Sequence, residues 1–116
     1  MIRAIQNCIP RDTSLLDLEH LSRQTLGNRD LEREVLELFV RHSGEQLERL
    51  TGSASESGRR ESAHAIVGTA RAIGAFEVAR IAGEIERSHG PLGAELAELA
   101  AAVRKTCDFI AGRLAK

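Results

Sequence analysis

The chain has 116 residues with a formal net charge of -1, and 42% of them are hydrophobic, 28% charged and 3% aromatic. These values suit one ordinary globular domain over residues 1–116. They argue against nucleic acid and anionic membranes as partners, because the chain has neither a basic excess nor the aromatic side chains that stack on bases.

The predicted elements are all helices, since no segment alternates like a strand and both prolines, Pro10 and Pro91, lie outside the long periodic segments. The first helix is expected at about residues 14–26, with a cap among residues 12–14. Its apolar face would consist of Leu15, Leu18, Leu21 and Leu26. This short helix is expected to cap one end of the fold or to lie across it.

A second helix is predicted from Asn28, a favourable N-cap, to about residue 50. Its apolar stripe is wide, which predicts contact with more than one neighbouring helix. The stripe consists of Leu31, Val35, Leu36, Leu38, Phe39, Val40, His42 and Leu47.

A third helix is predicted after a polar loop at residues 51–58, in which Ser53 and Glu56 have the spacing of a capping box. Gly74 is expected to end this helix. A helical wheel places its buried face on Ala63, Ile66, Val67, Ala70 and Ile73.

A fourth helix is expected at about residues 75–88, and a fifth from Pro91, because proline is favoured in a first turn. Their apolar faces would be Val78, Ile81, Ala82 and Ile85 in the fourth, and Leu92, Leu96, Leu99, Val103, Ile110 and Leu114 in the fifth. Long amphipathic helices joined by short loops bury such faces best against one another. The sequence therefore predicts an all-α fold, an antiparallel up-down four-helix bundle with a short additional N-terminal helix.

The two cysteines, Cys8 and Cys107, lie near opposite ends without C-x-x-C spacing, so neither a zinc knuckle nor a thiol redox motif is predicted. We expect both to be reduced. No apolar run reaches the ~18 residues of a membrane span, and the N-terminal segment is too polar for a secretory signal. We therefore expect a cytoplasmic protein. We also expect a monomer, and ends that look complete favour a free-standing domain.

One histidine departs from the apolar pattern of the third helix. His64 lies roughly 120° from the centre of the buried face on a helical wheel, which predicts that it is exposed. It shares this side of the helix with Arg60, Gly68 and Arg71. An exposed imidazole with an unperturbed pKa of ~6.5 is a competent nucleophile at neutral pH, and the two arginines favour an anionic reactant.

Gly68 lies one helical turn after His64 and needs an explanation, because an interior glycine destabilises a helix by about 0.5–1 kcal/mol relative to alanine. Our interpretation is that the missing side chain leaves room for a phosphoryl group or a partner's loop beside the imidazole. Two simpler interpretations stay open. An isolated helical histidine is often only a solvated polar residue, and a glycine also occurs where two helices pack closely.

The other histidines suggest no further site. His42 lies on the apolar stripe of the second helix and is expected to be a hydrogen-bonded core residue, whereas His20 and His89 are expected at the surface or in loops. No histidine pair has H-x-x-x-H spacing, so no metal site is predicted. A hydrolytic enzyme is disfavoured because no paired carboxylates converge with a nucleophile.

Residues 63–86, AHAIVGTARAIGAFEVARIAGEIE, resemble the signature of the histidine phosphotransfer (HPt) domain family. The matching positions are His64, Ile66, Gly68, Thr69, Ala70, Gly74 and Glu86. Residues 16–50 are similar to the first two helices of that family, so the resemblance covers nearly the whole chain. It implies a four-helix bundle whose exposed histidine carries a phosphoryl group in a multistep two-component phosphorelay.

The resemblance implies that His64 is the phosphoacceptor and that Gly68 keeps the space beside it open. The implied partners are receiver domains of response regulators or a hybrid histidine kinase. The chain itself would be a phosphocarrier without autonomous kinase activity and without a cofactor, with Mg²⁺ expected on the partner receiver. An alternative is a non-catalytic docking module, in which the bundle binds such partners without being phosphorylated.

Val67 departs from the family pattern, which usually has lysine three residues after the histidine. The nearest cation to a phosphohistidine would then be missing, which predicts slower or less stable phosphorylation. Arg71, one turn beyond Val67, or Arg60, one turn before His64, could supply the charge. Val67 would instead add to an apolar rim around His64.

Overall fold

The computed structural model describes residues 15–53 and 55–115. These residues form five α-helices and no strand: α1 Leu18–Gln24, α2 Arg29–Gly52, α3 Glu56–Ile73, α4 Phe76–Arg87 and α5 Ala94–Leu114. Around the core, α2 packs on α3, α3 on α4, α4 on α5 and α5 on α2, while α1 packs on α3. The predicted all-α four-helix bundle with a short additional N-terminal helix is confirmed.

Short links make successive helices of the bundle antiparallel. α2 ends at Gly52 and α3 begins at Glu56, residues 74–75 join α3 to α4, and residues 88–93 join α4 to α5. The bundle closes where the end of α5 meets the start of α2, because Arg113 Nε donates to Glu32 at 2.6 Å and Arg33 Nη2 donates to the Leu114 carbonyl at 2.9 Å.

The core lies between the four long helices and matches the predicted faces of α3 and α4. In α4 all four predicted residues are buried, and in α3 the predicted residues are buried except Val67, which is half-buried. The largest fully buried side chains are Phe39, Leu16, Leu21, Leu36, Leu50, Ile66, Ile81, Leu99 and Ile110. The amphipathic periodicity of α3 and α4 thus sets which side of each helix faces solvent.

The predicted first helix is wrong in its extent. Asp17 is the N-cap of α1 and accepts a hydrogen bond from the His20 N–H at 3.1 Å, so the helix begins at Leu18. The predicted caps at 12–14 lie outside the described residues. Leu26 is 88% exposed and has a φ of 56°, because the chain turns between α1 and α2 there and the helix has already ended.

The predicted apolar stripe of α2 is too wide. Leu38 is 51% exposed, and Leu31 and Val40 are also exposed. The buried residues of α2 are Leu36, Phe39, Ser43 and Leu50, and the predicted Val35 and Leu47 are partly buried against the core. The predicted hydrogen bond of His42 is also wrong for Nδ1, which is buried and has no hydrogen-bond partner among the described residues.

The helix starts were predicted with mixed success. Asn28 caps α2 as predicted, because its side chain accepts from the Leu31 N–H at 3.0 Å. The predicted capping box is wrong, since Ser55 caps α3 by accepting from the Gly58 N–H at 2.9 Å, while Ser53 ends α2. The start at Pro91 is wrong as well, because residues 88–93 form a loop and α5 begins at Ala94.

Among the described helices, none is long and apolar enough to cross a membrane. Cys107 is a free, half-buried thiol whose pKa is raised by burial, and Cys8 lies outside the described residues.

Gly74 ends α3 as predicted and also fixes the position of α1. Its φ is 87°, and its carbonyl accepts from the Asp17 N–H at 2.9 Å. A Cβ added at Gly74 would lie 2.9 Å from the Asp17 carbonyl oxygen. The site therefore requires glycine both for its left-handed backbone and for the close approach of the chain before α1.

We predict that Gly74→Ala lowers the free energy of unfolding by about 1–3 kcal/mol, because it adds left-handed strain to a steric overlap. Urea denaturation followed by circular dichroism would measure the change. Gly112→Ala is the matched control, since a Cβ at Gly112, within α5, has no atom within 4 Å. Equal denaturation midpoints for Gly74→Ala and the wild type would contradict the role assigned to Gly74.

Candidate functional site

His64 lies in the middle of α3 on its solvent side, as the helical wheel predicts, and 75% of its side chain is exposed. The rotation of α3 is fixed by its opposite side, where Ala63, Ile66 and Ala70 are completely buried. The ring is therefore accessible to a second protein without any movement of the helix.

Glu86, near the end of α4, contacts the His64 ring across the α3–α4 hairpin. The distance from His64 Nδ1 to Glu86 Oε2 is 2.7 Å. Because an ionised carboxylate only accepts hydrogen bonds, Nδ1 carries the proton and donates it to Glu86. In the neutral ring this tautomer leaves Nε2 with a free lone pair, so the contact orients the ring and leaves one nitrogen unprotonated.

A groove of about 510 Å³ runs between α3 and α4 beside His64. It is lined by His64, Val67, Arg71, Phe76, Ala79, Arg80, Gly83, Glu86 and Arg87. Small residues on α4 keep it open, and Phe76, which is 42% exposed, adds an apolar surface. The groove thus combines the imidazole with an apolar wall and several cations.

The arginines near His64 differ in what they contact. Arg80 bonds Glu77 at 2.6 Å and Glu84 at 2.8 Å, and these contacts raise its pKa and lower that of Glu77. Arg71 and Arg87 line the groove and form no ion pair with a carboxylate of the described segments.

Arg60, the other cation predicted beside His64, does not line the groove. Its Nη2 atom lies 4.0 Å from Glu56 Oε1, one turn nearer to the start of α3. Of the two predicted arginines, the structure therefore brings Arg71 to the groove and leaves Arg60 outside it.

Gly68 is exposed, and a Cβ added to it would have no heavy atom within 4 Å. The interpretation that this glycine allows two helices to pack closely is therefore wrong for the described part of the chain. The space beside His64 is open to solvent, as the first interpretation requires.

Val67 was predicted both on the buried face of α3 and on an apolar rim around His64, and the structure agrees with both. It is half-buried against the core and also lines the groove beside His64. A valine here gives the groove an apolar edge at the level where the resemblance leads one to expect a lysine.

Sequence reasoning missed the contribution of α4 to this site. Glu86 entered only as one matching position, and Arg87, Gly83 and Phe76 were not identified. Counting outward from the turn at Gly74 in an antiparallel hairpin would have placed residue 64 opposite residues near 85. That count was available from the sequence and would have pointed to Glu86 and Arg87.

No group of three or more His, Cys, Asp or Glu side chains among residues 15–53 and 55–115 is arranged to hold a metal ion. The chemistry available to the site is that of an exposed, oriented imidazole beside cations. Such a ring can act as a nucleophile toward an electrophile that a second molecule presents.

Comparison with known proteins gives one result. Neither the curated proteins nor the solved structures include a significant match to this chain. The family model for the Hpt domain matches residues 34–111, well over half of the chain, and the matched segment contains the whole of α3 and α4 with His64, Gly68 and Glu86. Hpt domains are phosphocarrier modules of phosphorelays that interact with receiver domains and kinases. On this match and this helical bundle, the chain belongs to the Hpt domain family.

Proposed function

We propose that this chain is a phosphocarrier of a multistep two-component phosphorelay and that His64 is its phosphoacceptor. The observation that carries the proposal is the exposed His64 ring, held by Glu86 through Nδ1 while the space above Gly68 stays open. Receiver domains of response regulators or of a hybrid histidine kinase would donate and accept the phosphoryl group.

The transfer begins with attack by the lone pair of His64 Nε2 on the phosphorus of a receiver's aspartyl phosphate. The new N–P bond forms as the P–O bond to the aspartate breaks, and the bonding electrons of that P–O bond leave with the aspartate carboxylate. No proton needs to move, because Nδ1 is already protonated. The ring becomes a phosphorylated imidazolium, and the reverse steps deliver the phosphoryl group to the next aspartate.

Glu86 contributes twice to this reaction. It fixes the tautomer before attack, and its negative charge stabilises the imidazolium that forms as the N–P bond develops. The remaining requirements are positioning and neutralisation of phosphoryl charge. We expect a Mg²⁺ ion on the partner receiver to supply part of that neutralisation, and arginines of the groove the rest.

The test is to mix the purified chain with each of a panel of receiver domains that have been phosphorylated by a small radiolabelled acyl phosphate. We expect at least one receiver to transfer its label to the chain. The product should be acid-labile and alkali-stable, and mass spectrometry at alkaline pH should place it on the peptide that contains His64. Binding of receivers without any transfer would instead support the non-catalytic docking module.

Substitutions of Glu86 separate its two contributions. We predict that Glu86→Ala lowers the transfer rate roughly tenfold, the effect of losing one charge-assisted hydrogen bond, and that Glu86→Gln lowers it only about twofold to threefold. The smaller effect follows because the amide oxygen still accepts the Nδ1 proton but has no charge. Reactions with one competent receiver, quenched at successive times, would give the transfer rate of each variant.

Glu61→Ala is the matched control for the Glu86 variants, since Glu61 is an exposed carboxylate on α3 that neither lines the groove nor contacts His64. Its transfer rate should equal that of the wild type. A rate for Glu86→Ala at or above the wild-type rate would mean that this carboxylate mainly repels the incoming phosphoryl group, which would reject the stabilising role.

A further inference from the structure

A phosphoryl group on His64 would carry negative charge, and a cation beside the ring would stabilise it. This inference rests on the proposed function. The residue three positions after the histidine is Val67, which has no charge, and Arg60 is turned toward Glu56. The cations that line the groove are Arg71, Arg80 and Arg87, and Arg80 is held by its carboxylate partners on α4 and α5. This leaves Arg71 and Arg87.

The Arg87 guanidinium has a defined position over Gly83. A Cβ added to Gly83 would lie 3.3 Å from Arg87 Nη1, the nearest atom to that position. The Arg87 side chain therefore folds back by one turn along α4 and covers the bare backbone of Gly83. This contact also explains a glycine in the interior of α4, where it is unfavourable relative to alanine.

The level of Gly83 along the bundle follows from the contact between His64 and Glu86. Because α3 and α4 are antiparallel, three residues toward the turn on one helix correspond to three residues toward the turn on the other. Residue 83 on α4 therefore lies opposite residue 67 on α3. The guanidinium that covers Gly83 is thus at the level of Val67, about 4.5 Å along the axis from the level of His64.

Arg71 is less well placed. Its backbone lies seven residues after His64, about 10 Å farther along α3 by the helical rise, whereas the same register places the backbone of Arg87 opposite residue 63, about 1.5 Å from the level of His64. Its backbone carbonyl lies 3.0 Å from His20 Nε2, at the end of the bundle where α1 packs. Arg87 therefore has the shorter distance to cover.

We propose that Arg87, from the opposite helix, binds the phosphoryl group on His64 and supplies the charge that position 67 lacks. A planar guanidinium suits this task, because its N–H groups can donate to two phosphoryl oxygens at once. The guanidinium packs on the backbone of Gly83. Glu86 and Arg87 are adjacent in the chain, and Glu86 binds Nδ1 of the ring while Arg87 binds the phosphoryl group on Nε2.

The experiment compares Arg87→Gln, Arg87→Lys, Arg71→Gln and Arg60→Gln with the wild type. Each protein is phosphorylated by phosphoramidate, a small donor that needs no partner, and by one receiver that is active on the wild type. We expect Arg87→Gln to lower both rates by at least about tenfold, because it removes charge-assisted hydrogen bonds to the phosphoryl group, and Arg87→Lys to recover part of the loss. Arg60→Gln should match the wild type.

Two further measurements separate charge from structure. The wild-type rate with phosphoramidate should fall as salt is added, and that dependence should be weaker in Arg87→Gln. Gly83→Ala keeps Arg87 but displaces its guanidinium, so it should reproduce part of the Arg87→Gln defect while melting no lower than the wild type.

The outcomes distinguish this inference from the proposed function. If the wild type is phosphorylated and Arg87→Gln is phosphorylated equally fast, the role of Arg87 is rejected and the phosphocarrier function stands. If Arg71→Gln shows the loss instead, Arg71 is the phosphoryl-binding residue. If no receiver transfers its label to the wild type, the phosphocarrier function fails, and the phosphoramidate series still tests Arg87.

Discussion

Replacing His64 with glutamine should abolish phosphorylation by every receiver and leave the fold unchanged. Glutamine has no ring nitrogen that can attack phosphorus, so the reaction loses its nucleophile. The substitution is mild for the structure, because 75% of the His64 side chain is exposed and its polar contact is with Glu86, to which an amide can also donate. The free energy of unfolding should change by no more than about 0.5 kcal/mol.

His89→Gln is the most informative control for that experiment. His89 is 78% exposed, and its Nδ1 lies 2.9 Å from Glu56 Oε2, so it has nearly the same exposure and the same kind of partner as His64. It differs in lying in the loop after α4, away from the groove between α3 and α4. His89→Gln should therefore be phosphorylated as fast as the wild type.

Label that persists in His64→Gln but disappears in His89→Gln would move the phosphoacceptor to the loop and reject the proposed site. Label that persists in both variants would show that neither histidine is the phosphoacceptor. A titration of the variants with an unphosphorylated receiver adds a second readout. We expect His64→Gln to bind as the wild type does, because the loss concerns the reaction and not the docking.

The sequence was sufficient to predict the parts of the fold that depend on one helix at a time. The buried face of α4 follows from 3.6-residue periodicity, and the end of α3 follows from Gly74, whose φ of 87° few other residues adopt. The prediction of buried residues failed for an apolar residue that lies outside any helix, because helical periodicity does not apply there. Leu26 was counted on a helical face, but it lies in the left-handed turn between α1 and α2.

The apolar stripe of α2 shows a second limit. It contains more apolar positions than one helix can bury, and the positions of α3 and α5 decide which of them face the core. Leu36 and Phe39 are buried, whereas Leu38 is exposed, although all three lie within one turn. Local pattern cannot choose among them, because the choice depends on the direction from which the neighbouring helices pack.

The candidate site divides in the same way. The exposure of His64 and the open space at Gly68 follow from the rotation of α3 alone, and both were predicted. The contact of His64 with Glu86 and the level of Arg87 relative to His64 depend on the register between α3 and α4, which the helical wheel of α3 does not contain. Arg60 lies outside the groove and contacts Glu56 one turn away. A helical wheel shows that these two residues can pair, but it does not show whether Arg60 would bind Glu56 or a phosphoryl group on His64.

Gly68 provides the prediction in which stability and function change in opposite directions. Gly68→Ala should raise the free energy of unfolding by about 0.5–1 kcal/mol, because alanine is the better helix former and its Cβ would meet no atom within 4 Å. The same variant should slow transfer from receivers. Gly68→Leu should slow it by roughly a hundredfold, since a misplacement of about 1 Å between reacting groups has effects of that size.

Gly44→Ala is the control for stability, because Gly44 is an exposed glycine inside α2 whose added Cβ also has no neighbour within 4 Å. It should gain the same stability and transfer at the wild-type rate.

Phosphoramidate is the control for chemistry, since a donor of a few atoms does not need the space that a receiver domain occupies. Gly68→Leu should therefore react with phosphoramidate at close to the wild-type rate. If it also accepts phosphate from receivers at that rate, the open space beside His64 is not used for docking, and the glycine needs another explanation.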